Sequence, residues 1–434
     1  MKNLSLKTQP AVAYQKMNKA TKILIFLLII TGPSLFSQDY RSFSLHKANI
    51  VEKTTFRLGP IRMYPLIKFR EIGYDSNIFR ETQAQEPTKD FTMTFSPEIQ
   101  FNMLIGNNFV LSFVENPEYV FYFDQTDLRA FSNSYFIESR LRMFYGLVLS
   151  ARYTSSDRRY RPWGEFVEKV NEQQQGYSAS FFYEGFDNTI LGVSANYQSI
   201  FYSDITNPDQ MSSLGLRLNR DVYHVSAEMH YEFFSEISFF IRTIYSDYTF
   251  KFPETRFKDS LSLQTSFGLN FPILGDLKGK FSLGYKHLVP LHAGKKIFFG
   301  LIGDTTLEYQ RGRFRMRARY GRDTPFSVWT DSIYYIQDSI GTGISYYLMT
   351  FVRLDYNFNL GKGRYPETIN KPLPDGSNQE FNREDNYKTH SFGIIFRLFK
   401  NTGIGLNINH WERKSNVEDT RSSLFFGGYL TFDF

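Results

Sequence analysis

RGRFRMRARYGR, residues 311–322, carries arginine at every second position: Arg311, Arg313, Arg315, Arg317 and Arg319, with Gly312, Phe314, Met316, Ala318 and Tyr320 between them. Successive side chains of a strand point to opposite faces, so a period of two is that of a strand with one charged and one apolar face. The charged face must be wet. The apolar face meets either a protein core or lipid, and that choice decides the fold.

The same alternation recurs along the chain. In FTMTFSPEIQFNM (91–103), Phe91, Met93, Phe95, Pro97, Ile99, Phe101 and Met103 oppose Thr92, Thr94, Ser96, Glu98, Gln100 and Asn102. TFVRLDYNFNL (350–360), YKTHSFGIIFRLF (387–399) and the C-terminal SLFFGGYLTFDF (423–434) repeat the design. Between such segments, short links (IGNN at 105–108, GFDN at 185–188, KNTG at 400–403, and a two-residue turn at Gln310 and Arg311) alternate with long polar ones at 70–89, 155–175 and 363–385. About eighteen strands result, sixteen to eighteen once ambiguous stretches such as 212–234 and 327–338 are allowed for.

Antiparallel strands joined alternately by short turns and long loops mark a transmembrane β-barrel, with short turns on the periplasmic side and long loops outside. A soluble sandwich also alternates, but it needs only short strands, and no blade repeat of a propeller is present. The sequence therefore predicts an all-β, antiparallel outer-membrane barrel with a polar lumen and long extracellular loops. On that fold Phe314, Met316, Ala318 and Tyr320 face lipid. The reverse placement is untenable, because one Arg on the lipid face near the midplane costs roughly 2–4 kcal/mol and five would exceed the stability of a typical domain.

Composition agrees. The chain holds 45 Phe and 29 Tyr, residues that favour strands, and no Cys, which removes disulfides, thiolate metal sites and cysteine nucleophiles. Lys16, Lys19 and Lys22 precede the apolar run ILIFLLII (23–30) and small residues near Ser37, the layout of a secretory leader. Residues 1–37 are read as a cleaved signal peptide, 38–63 as a short periplasmic segment and 64–434 as the barrel. The leader's five lysines account for five of the formal net charge of +6, so the alkaline balance gives no support to nucleic-acid binding.

The arginine row admits two readings: an anion path through the lumen, or cross-strand ion pairs that brace the wall. A turn at Gln310 and Arg311 would pair Glu308 with Arg313, Thr306 with Arg315, Asp304 with Arg317 and Ile302 with Arg319. Arg313, Arg315, Arg317 and Arg319 are candidate lumen residues, as are Arg140 and Arg142 in FIESRLRMF and Arg353. His224, Glu228, His230 and Glu232 share a face, but residues two apart in a strand lie nearly 7 Å apart, long for ligands of one ion. No metal site, catalytic group or cofactor is expected. Trp163, Trp329 and Trp411 read as interfacial girdle residues.

GYDSNIFRE (73–81), followed by Asp90-Phe91 and the FSPEIQF strand, resembles the opening of the β-barrel porin type 2 family of Gram-negative outer-membrane proteins. NREDNYKTHSFGIIFRLFKNTGIGLNINHWERKSN (382–416) is similar to that family's last hairpin, and the aromatic-rich chain with its Ser-Gln leader end looks like a Bacteroidota protein. The resemblance implies a barrel often found with exopolysaccharide synthesis and export. Asp75, Asn77 and Phe79 match its opening motif and are expected to shape a loop. The leading expectation is thus a non-enzymatic channel for surface polysaccharide, with periplasmic export partners. A general diffusion porin for small solutes and a plugged structural or adaptor barrel are the alternatives.

Overall fold

The computed structural model describes residues 42–434 except 83–85, 161–169, 204–214, 235–236, 275, 330–331, 373–377, 400–401 and 434. The leader and Trp163 lie outside these residues. One antiparallel sheet runs through the described chain in sequence order. Its strands are β1 (Phe56–Leu58), β2 (Ile61–Asp75), β3 (Asp90–Ile105), β4 (Phe109–Tyr122), β5 (Ala130–Arg142), β6 (Leu147–Tyr160), β7 (Val170–Phe186), β8 (Thr189–Ser203), β9 (Arg220–Phe234) and β10 (Ile237–Phe250). They continue as β11 (Ser260–Leu274), β12 (Leu277–Pro290), β13 (Phe298–Arg311), β14 (Phe314–Asp323), β15 (Ile336–Met349), β16 (Val352–Pro372), β17 (Asn378–Phe399), β18 (Thr402–Ser415) and β19 (Arg421–Asp433). β19 pairs with β2, from Asp433 opposite Leu66 to Phe425 opposite Asp75, which closes β2–β19 into an eighteen-stranded barrel. Closure leaves no unpaired edge, the condition for strands to cross a bilayer.

The outer face is apolar because every second residue is. Phe267, Leu283, Leu301, Ile340, Leu406 and Phe426 are all exposed there. A chain of ring contacts runs round the outside through Phe101, Phe113, Tyr135, Tyr153, Tyr177, Tyr197 and Tyr223, with centroids 4.8–6.4 Å apart. Next to Tyr153, Tyr177, Tyr197 and Tyr223 lies a paired polar row, Ser155, Gln175, Ser199 and Asp221. The tyrosines therefore border the apolar band as an interfacial girdle does. Trp329 and Trp411 do not join it. Trp411 pairs with Ser423 on the lumen face, and Trp329 packs inside the barrel, so the girdle is built from Tyr and Phe.

The register of the opening stretch differs from expectation. Arg311 faces Phe314, so Gly312 and Arg313 form the turn, not Gln310 and Arg311. Gly312 has φ +56°, a left-handed conformation that glycine adopts without a Cβ penalty. The shift opposes Gln310 to Arg315, Glu308 to Arg317 and Thr306 to Arg319. Arg313 leaves the strand and donates from Nη1 to the Leu348 carbonyl at 3.1 Å.

Two elements occupy the ends of the lumen. At the short-turn rim lies helix α1 (Phe43–Lys53), capped by the Ser42 hydroxyl accepting from the Leu45 amide. Its Phe43 and Ile50 pack on Leu104, Val110, Val148 and Phe182 of the wall. Toward the long-loop rim, the β14–β15 connection (324–335) folds inward. Phe326, Val328, Ile333 and Tyr334 pack on Tyr248, Phe250, Leu288, Phe298 and Ile302. From the sequence, the long polar loops near 158–173 and 361–386 are the ones expected to fold inward; residues 161–169 of the first lie outside the described residues. Strand β16 runs to Pro372 and β17 starts at Asn378, so most of the latter region extends the wall as a hairpin.

Candidate functional site: the lumen

A cavity of about 610 Å³ lies on the inner face of β2–β10. Its cations are Lys68, Arg70, Arg152, Arg158 and Arg242, and its carboxylates are Glu98, Glu118 and Glu228. Small hydroxyl residues fill the wall between them, among them Ser134, Ser178, Ser194 and Ser226. Strand alternation produces this arrangement: Lys68 lies between Ile67 and Phe69, Arg152 between Ala151 and Tyr153, and Ser194 between Val193 and Ala195, with the apolar neighbours turned to lipid.

The charged groups are organised, not scattered. Lys68 Nζ meets Glu98 at 3.0 Å, and Arg70 pairs with Glu118. Glu98 also accepts from Asn116, which in turn accepts from Ser96 at 3.2 Å. Arg242 Nε donates to Glu228 at 2.7 Å, and His230 lies 3.5 Å from the same carboxylate. His224 shares a hydrogen bond of 2.8 Å with Ser246. The His/Glu row of β9 is thus committed to Arg242 and a serine, and among the described residues no group of three or more His, Asp or Glu is arranged to hold a metal ion. Arg152 stacks its guanidinium 3.9 Å from the Phe136 ring, which leaves its N–H edges for a solute.

The arginines singled out in the sequence are dispersed. Arg315, Arg317 and Arg319 stand on the lumen side of β14, across from the cavity wall. Arg317 meets Glu308 at 2.5 Å, Arg315 reaches the same carboxylate only at 3.9 Å, and Arg319, between Thr306 and Gly341, has no ion pair among the described residues. Arg140 bonds Glu138 at 2.7 Å on its own strand. Arg142 reaches the Ser44 hydroxyl of α1 at 3.3 Å, and Arg353 pairs with Asp355 at 2.9 Å. None of these lines the cavity. Of its own cations, Lys68 and Arg70 share a face in IKFR, which the alternation already assigns to the polar lumen, whereas Arg242 in SFFIRT is a lone basic residue that gave no signal.

The wall beside β14 is lined by amides. Gly341 and Gly343 leave room for the side chains of Asn359 and Asn357, whose Oδ1 atoms lie 2.5 and 2.8 Å from where a Cβ would be. Guanidinium and carboxamide groups thus form one donor-rich sector, while β5–β11 present hydroxyls.

The opening motif lies at the barrel seam. Asp75 accepts from the Asn77 amide at 3.0 Å and from the Ser423 hydroxyl at 2.8 Å. Asn77, 2% exposed, donates to the Ser422 carbonyl of β19 and the Glu81 carbonyl, and accepts from the Glu81 amide. Phe79 packs on a small cluster of Ile78, Val120, Tyr122 and Leu128. First and last strands are joined here by side chains as well as by the ladder.

The inward connection is held by buried charge. Lys258, fully buried, donates to the Ser327 carbonyl at 2.6 Å. Lys286 Nζ meets Asp323 at 2.9 Å. Arg383 stacks 4.0 Å from Trp329 and bonds Asp385 and Glu418, which Arg413 also contacts. Burial, and after it the Glu367 carboxylate, push the Tyr334 phenol up to about 12. It remains neutral in its apolar cluster.

No protein-family model matches the sequence, and no curated protein matches it. Among solved structures, the chain is similar to Pseudomonas aeruginosa OpdK with vanillate (TM-score 0.51, 9% identity, 87% of this chain and 99% of that one). It is likewise similar to the OpdK outer-membrane protein of that organism (TM-score 0.50, 8% identity, 86% and 98%). At such identity the likeness is one of fold. The chain is a closed eighteen-stranded antiparallel barrel, apolar outside and polar within, whose fold is similar to that of these outer-membrane proteins.

Proposed function

We propose that the protein is a diffusion channel for small polar solutes, with anionic ones favoured, in the outer membrane of a Gram-negative bacterium. The observation that carries this reading is the polar cavity on the inner face of β2–β10: about 610 Å³, with five cations against three carboxylates. A space of that size suits a small solute. It does not suit a hydrated polysaccharide, so export, the leading expectation from the sequence, gives way to the diffusion alternative. OpdK, whose barrel is similar in fold, has been solved with vanillate, a small aromatic carboxylate. Excess positive charge in a low-dielectric wall raises the local concentration of anions.

Two further assignments complete the proposal. Membership in the β-barrel porin type 2 family and a Bacteroidota source rest on the end motifs. A cleaved leader over 1–37 follows from its layout, and the short 38–63 segment that links it to the barrel of 64–434 enters from the periplasmic side, with its helix α1 seated against the wall at the short-turn rim.

The test is single-channel conductance in planar bilayers, with reversal potential under a salt gradient. Anion preference that is lost in Arg70→Glu plus Arg242→Glu supports the cavity as the path. Loss in Arg315→Glu plus Arg319→Glu instead moves the path to the β14 wall. Well-folded protein with no conductance overturns the channel and supports the adaptor reading, for which the two lumen-filling elements speak.

A further inference from the structure

The outside of the barrel is not uniform. On β14–β18, beyond the apolar band toward the long-loop rim, cross-strand pairing sets Arg322, Asp338, Lys362, Asn386 and Lys414 in one row. The row beneath it reads Tyr320, Ile340, Leu360, Lys388 and Glu412. Arg364 follows above, opposite Glu384. These residues share a face with lipid-exposed Ile340 and Leu360, whereas Arg383, Asp385 and Arg413, one position away, are buried inside.

Charge on this patch does not cancel. Asp338 serves both Arg322, at 3.6 Å, and Arg364. Lys362 meets Glu384 at 2.7 Å, and Lys414 meets Glu412 at 3.0 Å. Lys388 is exposed and has no ion pair or hydrogen bond among the described residues. A concavity of about 390 Å³ opens among these side chains, with Lys362, Lys388 and Lys414 outnumbering Asp338 and Glu412 on its polar side and Ile340 and Leu360 on its apolar side. Elsewhere on the outside, toward the same rim, β6, β9 and β10 carry Asp157, Asp221 and Asp247, with Lys251 committed to Asp221 at 3.0 Å.

An amphiphile is the solute that such a concavity fits. The ladder of exposed Ile, Leu and Tyr accepts hydrocarbon, and the ammonium groups of Lys388, which follows Leu360 in that row, and of Lys362 and Lys414, in the row above, accept an anion at the level of the headgroups. The long-loop rim faces the outer leaflet, whose amphiphile in a Gram-negative outer membrane is a phosphorylated glycolipid. We infer that the outer face of β14–β18 binds the phosphate of an outer-leaflet glycolipid through Lys362, Lys388 and Lys414, with its acyl chains on Ile340 and Leu360. The site lies outside the wall and stands whatever passes through the lumen.

The probe is purified bisphosphorylated lipid A, compared with the enzymatically dephosphorylated lipid, added to the full-length barrel in phosphatidylcholine nanodiscs. Retention after washing is read by mass spectrometry. The wild-type barrel is expected to retain the phosphorylated form at least tenfold more than the dephosphorylated one, and 0.5 M salt is expected to reduce that preference. Lys388→Glu plus Lys414→Glu is expected to lower retention at least tenfold, with Lys251→Glu unchanged as the control on the opposite wall. Heat-modifiable migration on gels checks folding, and Lys388→Gln serves where the charge reversal does not fold. Equal retention of the two lipids, or equal retention by wild type and the lysine variant, overturns the inference.

Discussion

Replacing Phe326 by alanine tests whether the β14–β15 connection is docked in the lumen by its aromatic anchor. The ring stands 4.8 Å from Tyr248 and 5.4 Å from Phe250, edge-on to both, and 5.4 Å from the Arg220 guanidinium. Truncating a buried Phe costs about 3–5 kcal/mol through lost transfer energy and the cavity left behind. Lys258, Trp329 and Tyr334 still hold the segment, so the low end, about 3 kcal/mol, is the figure to use. At 1.4 kcal/mol per tenfold, the docked-to-undocked ratio falls about a hundredfold. The barrel ladder is untouched, so the loss appears as opening of the connection and not as unfolding. In planar bilayers Phe326→Ala is expected to give larger or noisier conductance, and protease added on the long-loop side should cut 324–335 faster. Phe299→Ala is the control, because that ring faces lipid and is 68% exposed. Unchanged conductance and unchanged cleavage in Phe326→Ala would refute the argument that this ring holds the connection in place.

Three further outcomes follow from individual contacts of the seam, the inward connection and α1. Asn77→Ala removes three hydrogen bonds at the seam and leaves the Ser422 carbonyl short of a donor, so the barrel should lose about 2 kcal/mol; heat-modifiable gel migration should shift to a lower temperature, and an unchanged transition would demote Asn77 to a surface loop residue. Lys258→Met keeps the stem but deletes the donor to Ser327, a charge-assisted bond worth about 1.5–3 kcal/mol net; faster proteolysis of the connection is expected, and full protection would show that packing alone suffices. Phe43→Ala empties the wedge that seats α1 against Val110, Val148 and Phe182, at a cost of about 3 kcal/mol; cleavage within 43–53 should accelerate while the barrel transition stays put, and a matching loss in the barrel would mean that helix and wall unfold together.

Much of this protein was legible in the sequence because a membrane barrel imposes a period of two on nearly every residue. Apolar positions in 91–103 and 350–360 had to face lipid, and that alone gave the strands, the barrel class and a strand number close to the eighteen observed. Even the sidedness of Arg315, Arg317 and Arg319 followed, since lipid rejects a guanidinium whatever its neighbours. Register was not determined. Moving the turn to Gly312 and Arg313 keeps every side chain on its face but changes which carboxylate meets which arginine, and both registers satisfy the alternation.

The lumen was decided only in three dimensions. Lys68, Arg152 and Arg242 come from strands far apart in sequence, and they meet because the sheet curls until β19 reaches β2. Alternation puts each of these cations on the polar face, but nothing local to any one strand signals that they share a cavity. Which segment folds inward depended on matching apolar groups across the interior: Phe326, Ile333 and Tyr334 find Tyr248, Leu288 and Phe298, a fit between distant segments that no local pattern encodes. The bilayer wrote the outside of this barrel into the sequence residue by residue, whereas its inside is a set of long-range contacts that exist only once the sheet has closed.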